Sequence, residues 1–251
     1  MKLKNLSSDN QKKVFEISDL NPGYVNTLRR IFSSEIPTMA IATVEFRKNS
    51  SALYDEIVAH RLGLLALTTD LKSYNLPKKG EEPSAATHTT FTLKAKGPKT
   101  VYASDLVPKD KAITPVHPKT IIVKLLEGQE LELVATAHLG YGIEHSKWDA
   151  SLSSYYFKPK IEVKSNKNID KYPPQVIKGG KVDASLINTP QLIDACAEVS
   201  EDVKISYPED NKEFVFTIES WGQLTPDQIT EAGIKRFEEQ ISSFETALKK
   251  I

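Results

Sequence analysis

Two prolines set the limits of the first helix in this chain. Pro22 suits the first turn of a helix, where a missing N–H costs nothing, and Asn21 before it can act as the N-cap. Pro37 ends the helix, because the residue before a proline is disfavoured in the α region. A strand over 39–46 follows at once. The apolar residues of the helix recur at helical spacing and form one face: Tyr24, Leu28, Ile31 and Phe32.

Two further helices are predicted from their end signals. A short helix opens at Asp55 and ends at Gly63, a residue suited to a left-handed C-terminal cap. A long C-terminal helix follows Thr225, which can cap it, with Pro226 and Asp227 in the first turn. The apolar residues of this helix are Ile229, Phe237, Ile241, Phe244 and Leu248. The last four are spaced 4, 3 and 4 apart, as in helices that pair, but such a face can also pack on the chain's own sheet.

The middle of the chain has mostly strand patterns. Alternating apolar residues, bounded by glycine and proline, predict strands over 91–95, 101–102, 121–125, 131–139 and 155–163. A first strand is predicted over 13–18 and a half-buried strand over 212–219. The remaining predictions are an exposed loop over 71–88, a turn-rich stretch over 166–180 and a short helix over 188–197 with Thr189 as its cap.

Composition argues against several classes of protein. Lys plus Arg number 33 and Asp plus Glu number 33, so the formal net charge is zero, whereas a free-standing nucleic-acid binder usually has a basic excess. A local basic patch remains compatible with this balance. The single cysteine, Cys196, cannot form a disulfide within the chain and fits a reducing compartment. No apolar run approaches the roughly 20 residues that cross a bilayer, and the N-terminus lacks the apolar core of a signal peptide, so we expect a cytoplasmic protein without membrane contact.

Five stretches, in order along the chain, carry a family resemblance. They are NTLRRIFSSEIPTMAI, DEIVAHRLGLLAL, FTLKAKGPKTVYASDL, LGYGIEHSKWDA and FVFTIESWGQLTPDQI. Together they resemble the alpha-like assembly subunits of cellular RNA polymerases, and most of all the archaeal branch of that family. The resemblance implies an α+β fold: a discontinuous αβ dimerisation domain over 1–46 and 165–251, interrupted by an inserted β-rich domain over 47–164.

The same resemblance implies a function and partners. The chain would be a non-catalytic assembly scaffold in transcription, part of a nucleotidyltransferase complex but without catalytic residues of its own. It would form a heterodimer with the small alpha-like subunit L, dock the large catalytic subunits and the small accessory subunits N and P, and meet nucleic acid only indirectly. The resemblance implies that Arg29 and Arg30 dock the large subunits. Arg30 matches the second arginine of the family's LRR run. The implied dimer interface comprises Leu28, Ile31, Phe32, Ile229, Phe237, Ile241, Phe244 and Leu248.

Residues suited to metal chemistry are few. Glu56 and His60 lie four apart on the second helix, which leaves a stand-alone metal-dependent enzyme as the alternative function, although the H-E-x-x-H pattern is missing. Some relatives hold an iron–sulfur cluster or zinc in the interval corresponding to 165–210, and such sites need several thiolates. Because Cys196 is the only cysteine, we expect a reduced remnant of that region with no cluster, no zinc site and no cofactor. Cys196 itself is expected to be a small buried apolar residue.

Overall fold

The computed structural model describes residues 2–78, 80, 82–197, 199–208, 210 and 212–250. Helices and strands are both present, and the α+β class is confirmed. The helices are α1 (Pro22–Ser34), α2 (Asp55–Gly63), α3 (Pro190–Cys196) and α4 (Pro226–Leu248). The strands are β1 (Lys2–Ser8), β2 (Lys12–Ser18), β3 (Thr38–Asn49), β4 (His88–Lys96), β5 (Lys99–Tyr102), β6 (Val107–Pro108), β7 (Ile121–Leu125), β8 (Glu130–Gly140), β9 (Ser151–Phe157), β10 (Lys160–Val163), β11 (Ile177–Lys178), β12 (Lys181–Val182), β13 (Val203–Ser206) and β14 (Glu213–Ser220).

The chain folds as two compact units. The large unit contains Lys4–Phe15, Pro22–Tyr155 and Phe216–Ile251, and the small unit contains Met1–Leu3, Glu16–Asn21 and Tyr156–Val215. The domain boundaries implied by the resemblance stay a prediction, and the one between residues 46 and 47 falls within β3.

An antiparallel sheet in the order β3-β8-β4-β6 forms the main core of the large unit. The central strand β8 buries every second side chain: Leu131, Leu133, Ala135, Ala137 and Leu139. Helix α2 contributes Val58 and Leu62, both fully buried, to the same core. This alternation is the period of a sheet with one covered face, which is the pattern that predicted the strand.

A second sheet has the order β1-β2-β14-β9. Within the large unit, the ring of Phe216 on β14 stacks on Phe15 of β2 at 5.3 Å between centroids. Phe32 of α1 meets the same ring edge-on at 5.6 Å. Aromatic pairs in these geometries add to the stabilisation from burial alone. Phe216 therefore anchors the first helix to the sheet.

The small unit has its own apolar core. It pairs β10 with β13 and β11 with β12, and it includes α3, whose cap Thr189 accepts a hydrogen bond from the Leu192 N–H at 3.3 Å as predicted. Cys196 is fully buried here, which confirms the prediction for it, and burial raises the pKa of its thiol. The core residues are Tyr172, Val176, Val182, Ile187, Ile193, Cys196 and Val203.

Two predictions about local structure were wrong. The strand predicted over 155–163 is two strands, β9 and β10, which belong to different sheets. Pro159 lies between them and has no N–H to continue a ladder, so the strand is interrupted there. Helix α2 does end at Gly63, but the left-handed cap predicted there does not form. Leu64 closes the helix at φ −85°; its N–H donates to the His60 carbonyl at 3.1 Å, and the Leu65 N–H donates to the Leu62 carbonyl at 3.2 Å.

Among the residues described, no helix has both the length and the apolar content needed to cross a membrane.

A carboxylate between two lysines connects three strands of the main sheet. Glu130 on β8 lies 2.5 Å from the Nζ of Lys48 on β3 and 2.8 Å from the Nζ of Lys96 on β4. Hydrogen bonds from Lys48 and then Lys96 lower the pKa of Glu130 from 4.5 to about 2. A lowered pKa means that the folded state favours the charged carboxylate, so this stabilisation exists above pH 4.5 and is lost as the pH falls towards 2.

Glu130→Gln should therefore lower the melting temperature at neutral pH, and the difference from the wild type should shrink as the pH falls from 4.5 to 2. Thermal unfolding followed by circular dichroism across this pH range measures the effect. Glu127→Gln is the control, because Glu127 is exposed and makes no ion pair with the residues described. A pH-independent difference for Glu130→Gln would contradict the assignment.

Candidate interaction surface

Helices α1 and α4 cross at a glycine. A Cβ atom built on Gly233 would lie 2.3 Å from Cδ1 and 2.4 Å from Cε1 of Phe32. Phe32 is only 2% exposed and packs edge-on against Phe216, so its ring is held in place. A residue without a side chain is therefore required where the two helices come closest.

Polar side chains join the helices beyond this crossing. Glu35, just after α1, accepts a hydrogen bond from Nε2 of Gln240, and its Oε2 lies 3.6 Å from Nε of Arg236. The Arg236 guanidinium also lies 5.5 Å from the centroid of the Tyr141 ring. Burial raises the pKa of Tyr141. The Arg236 Nε is buried and has no hydrogen bond among the residues described, so the ion pair with Glu35 is its main compensation.

The first turn of α4 is fixed by its cap. Thr225 Oγ1 accepts from the Gln228 N–H at 3.3 Å, and Gln228 Oε1 accepts from the Thr225 N–H at 2.8 Å. This reciprocal arrangement is a capping box, and it confirms Thr225 as the predicted cap. Asp227 lies 2.5 Å from the Lys13 Nζ, which adds an ion pair in the turn where the helix dipole favours negative charge.

The second half of α4 is uncovered. Every residue over 241–250 is exposed to solvent. The apolar residues along this part of the helix are spaced 3, 4, 3 and 4 apart, the spacing of a coiled-coil seam. We call them the α4 stripe: Ile234, Phe237, Ile241, Phe244 and Leu248. Phe237 is half-buried, whereas the other four are between 46% and 65% exposed.

Part of the predicted dimer interface lies in the chain's own core. Ile31 and Ile229 are 0% exposed and Phe32 is 2% exposed, so these three residues support the helices from inside and offer no free surface. The prediction grouped them with surface residues because core and surface positions follow the same apolar period.

The other five predicted residues are accessible to different degrees. Leu28 and Phe237 are half-buried, and the three in the last turns of α4 are exposed. The set lacked Ile234, which is 47% exposed, and Tyr24 on α1, which is 58% exposed. Ile234 lies three residues before Phe237, so the same spacing could have identified it. Their role in an interface stays a prediction.

Arg29 and Arg30 differ in environment. Arg29 is half-buried, and its Nε donates to Oδ1 of Asn26 at 3.1 Å. Arg30 is exposed, and its guanidinium makes no hydrogen bond or ion pair within the part of the chain that the structure describes. Of the two, Arg30 has the cation that is free to meet another protein.

Glu56 and His60 are both exposed on α2. Among the described residues, no three His, Cys, Asp or Glu side chains lie close enough together to hold a metal ion. The pair therefore has no third ligand in this part of the chain, and the metal-dependent enzyme alternative has no support.

A comparison with known protein families finds a match in the region that contains the main sheet. Residues 39–158 match the family described as the RNA polymerase Rpb3/RpoA insert domain. This range begins within β3 and ends just after β9.

Curated relatives match over a longer range. DNA-directed RNA polymerase subunit Rpo3 of Methanosphaera stadtmanae is 35% identical over 239 residues, which is 87% of this chain and 87% of that protein. Subunit Rpo3 of Methanosarcina acetivorans is 35% identical over 236 residues, covering 87% of this chain and 86% of that protein. Subunit Rpo3 of Pyrobaculum neutrophilum is 46% identical over 148 residues, covering 57% of this chain and 56% of that protein.

Substitution at the helix crossing tests its geometry. Gly233→Ala should destabilise the chain by about 1–3 kcal/mol, because the new methyl overlaps the Phe32 ring and outweighs the better helix propensity of alanine. The measurement is chemical denaturation. Gly63→Ala is the matched control, since a Cβ there would meet its nearest neighbour, the Ile41 carbonyl oxygen, at 3.6 Å. Equal effects of the two substitutions would refute the close crossing.

Proposed function

The chain belongs to the Rpo3 family of DNA-directed RNA polymerase subunits, and we propose that it is the non-catalytic assembly scaffold of an archaeal polymerase. In this proposal it pairs with the small alpha-like subunit L through α1 and α4 and then docks the large catalytic subunits. The observation that carries the proposal is the α4 stripe, an apolar seam of which four residues are between 46% and 65% exposed.

Energetics favour a partner with a matching apolar face. Complete burial of one fully exposed large apolar side chain stabilises by roughly 1.5–3 kcal/mol, so the four residues of the stripe that are about half exposed represent about 3–6 kcal/mol. Association costs about 4–15 kcal/mol in lost freedom of motion. Burial of the stripe alone therefore does not clearly exceed the free-energy cost of association. A second apolar stripe of similar size on the partner supplies the additional stabilisation that a stable complex needs.

The spacing of the stripe favours a helix as the partner element. Side chains spaced 3 and 4 apart insert into the gaps between the side chains of a facing helix. The residues between the stripe positions are small or polar, such as Ser242, Ser243 and Thr246, and they suit the solvent-facing sides of such a pair. A paired helix would also stabilise the exposed segment 241–250, whose helical structure depends mainly on its own backbone hydrogen bonds.

The proposal assigns no chemical step to this chain. It contributes to nucleotidyl transfer by holding the catalytic subunits in place, with accessory subunits N and P docking on the assembled complex in the cytoplasm. The zero net charge supports only indirect contact with nucleic acid.

The small unit is proposed to fold without an iron–sulfur cluster or zinc. In support, its apolar core is continuous, and the buried Asp202 carboxylate organises the adjoining loop. This carboxylate accepts hydrogen bonds from the Ser165 hydroxyl, the N–H and side-chain amide of Asn168, and the Ser200 hydroxyl. A carboxylate with this many donors can order a loop as a bound ion would.

Phe244→Asp should abolish heterodimer formation, because it places a charge in the centre of the proposed apolar contact. We expect Kd for subunit L to rise at least about 30-fold, from the loss of a large apolar contact and the burial of a charge. Tagged chain purified from native cells should then lose subunit L and the large subunits, which the wild type recovers. Ser243→Asp, on a neighbouring side of the same helix, is the control. Unchanged recovery of subunit L and the large subunits with the Phe244→Asp chain would contradict the proposal.

Arg30→Ala should weaken recruitment of the large subunits and spare the heterodimer with subunit L. The reason is that the Arg30 cation is exposed and has no partner among the described residues. Assembly of purified subunits followed by size-exclusion chromatography separates the two steps. Arg29→Ala provides the comparison, since Arg29 already bonds to Asn26. Simultaneous loss of both steps with Arg30→Ala would refute this separation of roles.

A further inference from the structure

A cavity in the large unit lies apart from the α4 stripe. It has a volume of about 240 Å³ and is lined by residues from four stretches of the chain, one of which holds His117 and Thr120 between β6 and β7. Leu64 follows α2, Lys147 and Asp149 precede β9, and Trp221 and Gln223 belong to the loop between β14 and α4. The cavity therefore exists only in the folded chain.

The loop that carries Trp221 is held in a fixed shape. Gly222 has φ 98°, and a Cβ there would lie 2.4 Å from Cγ1 of Val116, so both its backbone and its surroundings require glycine. The Gly222 N–H donates to Oγ of Ser220 at 2.8 Å, and the Gln223 carbonyl accepts from the Thr69 N–H at 3.0 Å. Trp221 remains 49% exposed on this loop. An indole held half in solvent on a rigid loop is typical of a binding surface.

Two acceptors in the cavity lining lack donors. Gln223 is 6% exposed, and its Nε2 donates to the Asp149 carbonyl at 3.2 Å, whereas its Oε1 is buried with no hydrogen-bond partner among the residues described. The half-buried Asp149 carboxylate receives no hydrogen bond or ion pair in the described part of the chain; burial raises its pKa, and the charge of His145 lowers it by less. Buried acceptors are rarely left unpaired, so Gln223 Oε1 indicates a missing donor.

The lysine in the same lining does not fill this role. The Lys147 Nζ donates to the Ile41 carbonyl at 3.1 Å and lies 4.2 Å from the centroid of the Trp148 ring. Burial also lowers the pKa of Lys147. The Lys147 ammonium group therefore already interacts with the Ile41 carbonyl on β3 and with the Trp148 ring. The side-chain oxygens of Asp149 and Gln223 remain available to another donor.

A guanidinium group matches these features together. It is a planar cation with five N–H donors, it stacks on indole faces, and it pairs with a carboxylate through two parallel hydrogen bonds. The apolar stem of an arginine side chain would lie along Leu64, which is 53% exposed at the rim. A lysine ammonium has fewer donors and no planar face, so it satisfies fewer of these groups.

We propose that this cavity receives an arginine side chain from a neighbouring subunit, with Asp149 and Gln223 accepting its N–H groups and Trp221 stacking on its plane. The identity of the donor as a subunit rests on the proposed polymerase function. The contact is separate from the α4 stripe and adds a specific polar site to an assembly otherwise attributed to apolar helices.

The probe for this site is N-acetyl-L-arginine amide, titrated onto the full-length chain and observed by ligand NMR. We expect saturable binding, at least tenfold weaker binding of the lysine analogue, and no saturable binding of the norleucine analogue. Asp149→Asn and Gln223→Leu should each weaken binding at least fivefold with unchanged circular dichroism. The matched control Asp227→Asn removes a carboxylate elsewhere in the same unit and should leave binding unchanged.

The assembled polymerase distinguishes the source of the arginine. Binding of the probe should disappear in the purified complex, because a subunit's own arginine fills the cavity there. Equal binding to the free chain and the complex would overturn the subunit assignment. Free L-arginine binding more than tenfold tighter than the blocked amide would also overturn it and would indicate a small-molecule site. No saturable binding, or no effect of Asp149→Asn, would overturn the guanidinium site itself.

The arginine site and the proposed function can be tested separately. Phe244→Asp should keep the affinity for the arginine probe even as it loses the heterodimer. Conversely, Asp149→Asn should keep the heterodimer with subunit L.

Discussion

The missing side chain at Gly233 is the constraint on which the helix pair depends. It admits the ring of Phe32 into the face of α4, and that ring in turn packs on Phe216 at the centre of a sheet. Two segments separated by nearly the whole chain, α1 and α4, are thereby brought into one packed layer. The position of the crossing in the first half of α4 also decides which apolar residues enter the core and which stay outside it.

Local signals in the sequence were sufficient for the helix bounds. Caps and prolines act within one turn, so the starts at Asp55 and after Thr225, and the end of α1 before Pro37, are the predicted ones. The central strand β8 was likewise visible from its alternation. The two-residue strands β6, β11 and β12, the short strand β13 and the exposed strand β1 were missed, because such short or fully exposed segments show little alternation of buried apolar residues.

The candidate surface was only partly predictable for a different reason. An apolar period of 3.6 residues identifies a face of a helix but not its cover, so Ile229 and Phe244 looked equivalent although one is buried and the other is 65% exposed. The cavity beside Trp221 was not predicted at all. Its lining comes from distant stretches, and an acceptor such as Gln223 Oε1 without a donor becomes visible only in three dimensions.

The exposure of residues 241–250 has a consequence for copies that have not yet assembled. A helical segment in which every residue is exposed opens locally at little free-energy cost, and an opened segment is a substrate for cellular proteases. Orphan copies are therefore expected to be cleaved within this segment, whereas copies with a bound partner are shielded. The same segment that supports assembly would then also keep the abundance of this protein matched to that of its partner.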